Sequence, residues 1–496
     1  MEKILCLGNN TEDTDTQTRI ISQAAKTVCH GLLSDLDSTV SAESFTLAGY
    51  YHTSVYDIEF GKLVEICNQF DQILVLDQPV EQWSHPDAFY KTLQLCTQLL
   101  VPVIFANPDS SQGFDFFSKL VQTNRSFCIF PFVEMLVNYD FTTVCCRSST
   151  PVTYVEDLTS FQHDKNYADI RKKMINGELL PEHCSSCYQT ESQGIVSARQ
   201  QETVEWANRL GVHSLQDLEQ FVDPTYYEIR PSNKCNLQCR MCSPQDSHLI
   251  EKEYSTIGLI SNLSPSKNST GFEIINFKSV KKIYIAGGEP TIMPEFYEFL
   301  DRCIAENKTN IEILVNTNGT KLSDKFKTQL KHFSNFHFIF SIDGFDELNY
   351  YIRWPSDWNI IVKNFQYLRT NNHKVTVNTT VSIYNISRLH QLFEFVDRVF
   401  PGTLIHCQIA ENLSPFKFSN AQLALDSLKM VTHMACYKND LLLASSIDGY
   451  INWFETNKNN KVDLTEFFIF NDKLDQSRNI RLKNYLPELE QLRPGL

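Results

Sequence analysis

The sequence predicts an α/β protein built around a partial (β/α)6 barrel over residues 223–410. A small open α/β domain over residues 1–120 and a cysteine-rich segment over residues 121–222 precede it, and a mainly helical cap over residues 411–496 follows. Three observations carry this expectation. Apolar runs of strand length alternate with helix-length periodic stretches along most of the chain. Polar turns follow the strands of the second half, at the ends where α/β barrels place their chemistry. Cysteines between residues 128 and 242 gather into spaced groups.

Composition narrows the class. A chain of 496 residues has room for about three domains, and 42% hydrophobic with 21% charged residues suits a large core. The 44 basic and 59 acidic residues leave a net charge of −15, opposite to the balance that phosphate binders use, so no nucleic acid is expected as a partner. The apolar run near Met1 is short for a secretion signal, and no stretch reaches membrane-span length, so no membrane partner and a cytoplasmic setting are expected. Fifteen cysteines in such a chain point to metal clusters rather than disulfides.

In the first 120 residues, Ile4–Leu7 reads as a strand ending at Gly8-Asn9-Asn10. Ile20, Ile21, Ala24, Ala25 and Val28 recur at helical spacing, with Gly31 where a C-cap belongs. Ser44–Ala48 suggests a second strand, and a helix is expected near Phe60–Phe70. Gln72–Asp77 and Val101–Ala106 are continuous apolar runs, as in strands buried on both faces of a parallel sheet, with a helix from Pro86 to Leu100 between them. Ligands of such a sheet would sit near Gly8–Asn10, Asp77–Pro79 and Asn107–Asp109. No G-x-G-x-x-G or Walker pattern is present, so a scaffold or docking role is favoured over nucleotide binding.

From Phe127 the texture changes. Cys128-Ile-Phe-Pro131, Asp140 to Cys145-Cys146, and His183-Cys184-Ser-Ser-Cys187 follow one another, and Gln200–Val222 makes an interrupted helical stripe. The barrel then reads as strands Tyr226–Arg230, Lys281–Ala286, Ile311–Val315, Phe336–Ile342, Lys374–Val381 and Thr403–Ile409. Helices are expected at Pro294–Ala305, Asp357–Asn371 and Ser387–Phe400, with a surface excursion over Ile257–Phe272. Phe467–Phe470 and Leu482–Leu489 are apolar stretches of the helical tail.

The chemistry gathers at Cys235-Asn-Leu-Gln-Cys239-Arg-Met-Cys242. Three thiolates within eight residues can reach one iron–sulfur cluster from a single loop and leave one metal open. A zinc site would need a fourth ligand, and His248 is the local candidate. Gly287-Gly288-Glu289-Pro290, Asn316-Thr-Asn318-Gly319 and Ser341-Ile-Asp343-Gly344 follow three successive strands.

In this order and spacing the segment resembles the radical S-adenosylmethionine (radical SAM) enzymes, and the chain is identified as a member of that superfamily. The resemblance implies a [4Fe–4S] cluster on Cys235, Cys239 and Cys242. Its open iron would be chelated by S-adenosylmethionine (SAM), whose reductive cleavage yields a 5′-deoxyadenosyl radical that abstracts hydrogen from substrate. Gly287, Gly288, Glu289 and Pro290 match its SAM-binding turn. The glycines would let backbone approach the SAM ammonium, and Glu289 would add an acceptor. Ser341, Arg353 and Asn378 match further SAM-binding positions. Asn316 and Asn318 are expected to shape their loop, and His406 and Gln408 lie on the last strand. No catalytic acid or base is assigned.

The cysteine-rich segment resembles the twitch domain, the shorter relative of the SPASM domain, which implies an auxiliary [4Fe–4S] cluster on Cys128, Cys145, Cys184 and Cys187. Asp140 stands where the family has Gly, Cys146 is an alternative to Cys145, and zinc suits four cysteines as well. Such domains more often follow the barrel; Gly194–Arg199 resembles the subgroup that carries one in front. The implied substrate is a peptide or peptide-borne residue, with a sugar, nucleotide or other small metabolite as the alternative. The implied electron donor is a reduced flavodoxin or ferredoxin. A non-catalytic metal-binding or electron-transfer protein is the reading from another class.

Overall fold

The computed structural model describes residues 4–7, 72–75 and 103–105. From residue 108 it describes all but 146, 147, 149, 193–196, 263–270, 411, 412, 419, 438–440, 458–461 and 496. The expected features at residues 8–10, 20–31, 44–48, 60–70, 77–79, 86–100 and 107, with Cys146 and Gly194, lie outside the described residues. Two compact units emerge: Met1–Phe130 with Asp169–Gln220, and Pro131–Ala168 with Phe221–Leu496. The cysteine-rich segment, expected as one domain, is therefore divided between them.

In the first unit, β1 (Ile4–Leu7), β2 (Gln72–Val75) and β3 (Val103–Phe105) form a sheet in that order, with the parallel pairing expected from their apolar runs. The helix Ala198–Leu210 packs against Pro108–Thr123, with Phe117, Phe127 and Trp206 buried. Ser197 and Gln200 form a capping box at its start, and left-handed Gly211 closes its end.

The second unit holds an eight-stranded sheet in the order β13-β12-β10-β9-β8-β6-β4-β5. Its members are β4 (Glu134–Asn138), β5 (Phe141–Thr143), β6 (Tyr226–Arg230), β8 (Lys282–Ile285), β9 (Glu312–Thr317), β10 (Phe336–Ser341), β12 (Lys374–Val381) and β13 (Ile405–Ile409). The intervening β7 (Gln238–Cys239) and β11 (Arg353–Trp354) pair antiparallel with each other. All six expected barrel strands are present and parallel. The β4–β5 hairpin was not anticipated: β4 adds parallel to β6 and extends the sheet beyond the expected barrel start.

Alternation sorts the strands into two faces. Ile283, Ile285, Ile313, Val315, Phe338, Phe340, Val375 and Val377 are buried, and Phe338 and Phe340 meet Phe326 and Phe365 of the outer helices edge-on. Lys282, Tyr284, Glu312, Asn316, His337 and Asn378 share the other, less buried face with Ser341. The end of the expected excursion returns to the core, where Phe272 stacks on Phe299 at 4.8 Å. In the helical tail, Leu441–Asn457 packs on the edge strand β13, and Thr465–Arg478 reaches the cysteine loop.

Candidate functional site

The cysteine loop leaves the C-terminal end of β6 and ends at the helix His248–Thr256. Cys235 and Cys239 are buried and Cys242 is half-buried. Burial pushes the Cys235 thiol up to about 12. A hydrogen bond from Cys242 and the nearby Arg353 cation favour the thiolate of Cys239, at the expense of Cys242. Among the described residues no three His, Cys, Asp or Glu side chains converge around one metal position. His248 fits zinc poorly. Its Nδ1 accepts the Cys235 N–H at 3.2 Å, which places the ring proton on Nε2 and leaves neither nitrogen ready as a ligand.

Gly287 and Gly288 are explained by this loop. A Cβ on Gly288 would stand 2.0 Å from the Lys234 carbonyl oxygen, and Gly287 combines φ +120 with a Cβ position that would fall 2.8 Å from the Ser232 oxygen. The Gly288 N–H donates to Ser232 O at 2.9 Å and the Glu289 N–H to Lys234 O at 2.8 Å. The close backbone approach expected toward a ligand is thus made first to the chain entering Cys235. Only glycine lets two backbones come this near.

Glu289 is fully buried. Its Oε1 accepts from Thr291 N at 3.1 Å, Thr291 Oγ1 at 2.6 Å and Thr317 Oγ1 at 2.7 Å, and its Oε2 from Asn318 N at 2.6 Å. Burial raises its pKa against these hydrogen bonds. Expected as an added acceptor, it ties the Gly287–Pro290 turn to the turn after β9, while Pro290 starts a short 3-10 helix. Asn318 then donates to Asn236 Oδ1 at 2.9 Å, and Asn236 to Thr320 Oγ1 at 2.8 Å. The loop-shaping role expected of Asn318 therefore reaches the cysteine loop itself.

Ser341 donates to Asn316 Oδ1 at 3.2 Å, and its register partner is Asn378. Among the described residues the Asn378 Oδ1 is buried without a hydrogen-bond partner. His406 lies opposite Asn378 and Gln408 opposite Thr380, both exposed, so these two residues share the polar face. Arg353 pairs across the β7–β11 ladder with Cys239. Its Nη1 lies 3.8 Å from Cys239 Sγ, and its Nε makes a 2.6 Å ion pair with Asp343 Oδ2 off the hydrogen-bond axis. Burial opposes the Arg353 charge, but Asp343 and the Cys239 sulfur outweigh it and raise the pKa. Sequence reasoning singled out Arg353 but missed Asp343 as its counter-ion, although the Ser341–Gly344 turn contains it.

In the first unit, Cys128, Cys184 and Cys187 are buried. Cys184 and Cys187 lie one turn apart on the helix Pro181–Ser192, and burial pushes the Cys184 thiol up to about 11. Arg199 binds both oxygens of Glu191 at 2.9 Å and donates to Phe127 O at 2.7 Å, linking the end of that helix to the residue before Cys128. Cys145 follows β5 in the other unit.

A parallel α/β sheet with a three-cysteine loop beyond its strand C-termini defines the class of α/β proteins that carry their polar groups at that end of the sheet. Its member here is plain from sequence comparison: residues 229–396 match the Radical SAM superfamily, so the chain carries a radical SAM domain. The chain is 30% identical over 96 residues to GTP 3′,8-cyclase 1 of Mycobacterium tuberculosis (strain CDC 1551 / Oshkosh), covering 19% of this chain and 25% of that protein. It is 28% identical over 99 residues to GTP 3′,8-cyclase of Aquifex aeolicus (strain VF5), covering 20% of this chain and 29% of that one. The chain thus spans about a quarter of the length of these curated relatives. Among solved structures, native anSMEcpe with bound AdoMet aligns at 17% identity and TM-score 0.32, covering 42% of this chain and 61% of that one. Streptococcus suis SuiB bound to precursor peptide SuiA aligns at 16% and TM-score 0.32, covering 57% and 60%. No described helix is long and apolar enough to cross a membrane.

Proposed function

We propose that the chain is a radical SAM enzyme whose Cys235, Cys239 and Cys242 hold a [4Fe–4S] cluster and SAM, and which abstracts hydrogen from a peptide or peptide-borne residue. The observation that carries the reading is the cysteine loop seated against Gly287 and Gly288, with the orphan acceptor Asn378 Oδ1 on the polar face. Three thiols in one buried loop suit the donor set, and an unmet acceptor suits a ribose hydroxyl. When bound, the cluster and SAM supply a 5′-deoxyadenosyl radical by one-electron cleavage.

The chain's own residues bind and orient. Arg353 holds positive charge beside Cys239 and offers its outer guanidinium edge to a carboxylate, while Asp343 keeps it in place. Ser341 and Asn378 orient the nucleoside from adjacent strands. Glu289, Thr317 and Asn318 lock the two turns so that the site does not open to water. His406 and Gln408 face the substrate side.

The peptide reading rests on the twitch-like pattern of Cys128, Cys145, Cys184 and Cys187, for which an auxiliary cluster is proposed. The partial likeness to GTP 3′,8-cyclases favours a second reading, a nucleotide or other small metabolite as substrate. A reduced flavodoxin or ferredoxin would supply the electron, in the cytoplasm. Anaerobic reconstitution tests the core: about eight irons per chain and release of 5′-deoxyadenosine are expected for two clusters. Zinc binding without nucleoside release would leave only a non-catalytic metal protein. Transfer of deuterium from a labelled peptide or labelled nucleotide to 5′-deoxyadenosine decides the substrate.

A further inference from the structure

We infer that the C-terminal helix Thr465–Arg478 positions the cysteine loop, with Asp475 as a positioning residue acting through Arg240; this rests on the cluster proposed at Cys235, Cys239 and Cys242. Arg240 lies between Cys239 and Cys242, yet its side chain is fully buried and points into the helical tail. Its Nη2 donates to Asp475 Oδ1, its Nη1 to Asn471 Oδ1 at 2.8 Å and its Nε to Tyr351 O at 2.9 Å. The guanidinium also lies 3.7 Å over the Tyr351 ring. Asp475 accepts in addition from Tyr351 Oη at 3.0 Å and Leu482 N at 2.6 Å, and Asn471 from Tyr384 Oη at 3.0 Å.

The same helix grips the far side of the loop. Arg478 donates from Nε and Nη2 to the two oxygens of Glu253 at 2.9 and 2.6 Å, and Ser477 donates to Glu253 at 2.5 Å. Glu253 belongs to the helix His248–Thr256 that follows Cys242. Arg478 further lies 5.3 Å from the Trp354 ring, and Trp354 pairs with Gln238 inside the loop. Asn471, Asp475 and Arg478 recur at helical spacing and so share one face.

A tail that only covered apolar surface would need none of this. Buried ion pairs contribute little net stability compared with apolar packing, but their hydrogen bonds are directional and fix one geometry. Here that geometry is the one in which the Cys239–Cys242 turn is held from behind. A misplacement of about 1 Å, far less than unfolding the loop needs, is enough to cost on the order of a hundredfold in rate.

The full-length chain, reconstituted with iron and sulfide, tests this. Asp475→Asn keeps the size and removes the counter-charge; Glu488→Gln is the control, breaking the Arg388–Glu488 pair (2.6 Å), which also joins the tail to the barrel. We expect Asp475→Asn to weaken SAM binding about tenfold or more and to alter the SAM-induced change in the electron paramagnetic resonance spectrum of the reduced cluster. Glu488→Gln should lower the melting temperature while leaving both readouts at wild-type values. Combining Arg240→Met with Asp475→Leu removes both charges together and should recover part of the melting temperature lost in Asp475→Asn without restoring SAM affinity, since the Leu482 N–H still loses its acceptor; this separates positioning from stability and serves if Asp475→Asn does not fold. Wild-type affinity and spectrum in either the single or the double variant overturn the inference, as does an equal loss in Glu488→Gln. A wild-type chain that binds no SAM-responsive cluster overturns the proposed function, and this inference with it.

Discussion

Gly288→Ala puts the central packing argument at risk. The added Cβ would fall 2.0 Å from Lys234 O, 2.4 Å from Lys234 C and 2.7 Å from Asn233 C, all backbone atoms, where ordinary contact begins at 3.4 Å. Relief requires the loop to retreat by 3.4 less 2.0, about 1.4 Å. That retreat strains two hydrogen bonds, from Gly288 N to Ser232 O and from Glu289 N to Lys234 O. Each contributes about 1 kcal/mol, and overpacking adds about 1–3 kcal/mol, so the loop loses roughly 3–5 kcal/mol. Because Cys235 follows Lys234, the displacement reaches the first thiol, where a shift of about 1 Å costs on the order of a hundredfold in rate. The assay is iron content and 5′-deoxyadenosine release after anaerobic reconstitution, with thermal unfolding alongside. Gly258→Ala is the comparator: its φ is +70 but its Cβ would meet open space, so only about 1–2 kcal/mol of backbone strain is expected, with cleavage retained. Gly288→Ala matching Gly258→Ala in iron and cleavage would refute the reasoning.

Other substitutions probe separate parts of the site. Asn378→Ala should weaken SAM binding about fivefold while leaving the melting temperature unchanged or higher, since it removes a buried acceptor that lacks a donor; a loss of stability without loss of affinity would assign Asn378 to the fold instead. Cys239→Ala should abolish SAM cleavage, whereas Cys184→Ala should remove iron but spare cleavage more than substrate turnover; equal behaviour would remove the distinction between the two cysteine groups. Burial first, then Lys374, lowers the His337 pKa from 6.5 to about 4, so the folded state holds this ring neutral while the unfolded chain binds a proton. Stability from this group is therefore complete above pH 6.5 and is lost as pH falls toward 4, by up to about 3 kcal/mol before allowance for its partial exposure. In His337→Gln, unfolding free energy should fall less steeply across that window; an unchanged slope would count against it.

Much of the fold was legible because its signals are local. Pro294–Ala305 and Lys374–Val381 are found over the expected residues, since a helical period or a β-branched run needs no distant partner to declare itself. The β4–β5 hairpin was less legible: Glu134–Asn138 is a short apolar run embedded among cysteines, and only its pairing with β6 makes it part of the large sheet. At the site, the residue types were legible and several of their duties were not. Glu289 looked like an acceptor for a ligand, but Thr291, Thr317 and Asn318 already engage both its oxygens. No sequence signal marks Arg240, because nothing beside it hints at an acidic partner 235 residues later.

By itself the sequence determined the residue types: three thiols within eight residues of one loop, with turns of fixed composition after successive strands. Those are properties of neighbouring residues, and spacing along the chain is enough to state them. Tertiary structure alone decided what holds the loop still. Gly288 is forced by the backbone at Lys234, Arg353 is oriented by Asp343 and Cys239, and Arg240 is anchored by Asp475. Each depends on groups brought together by folding, in a dry interior where an unpaired charge is costly and a misplaced Cβ has nowhere to go.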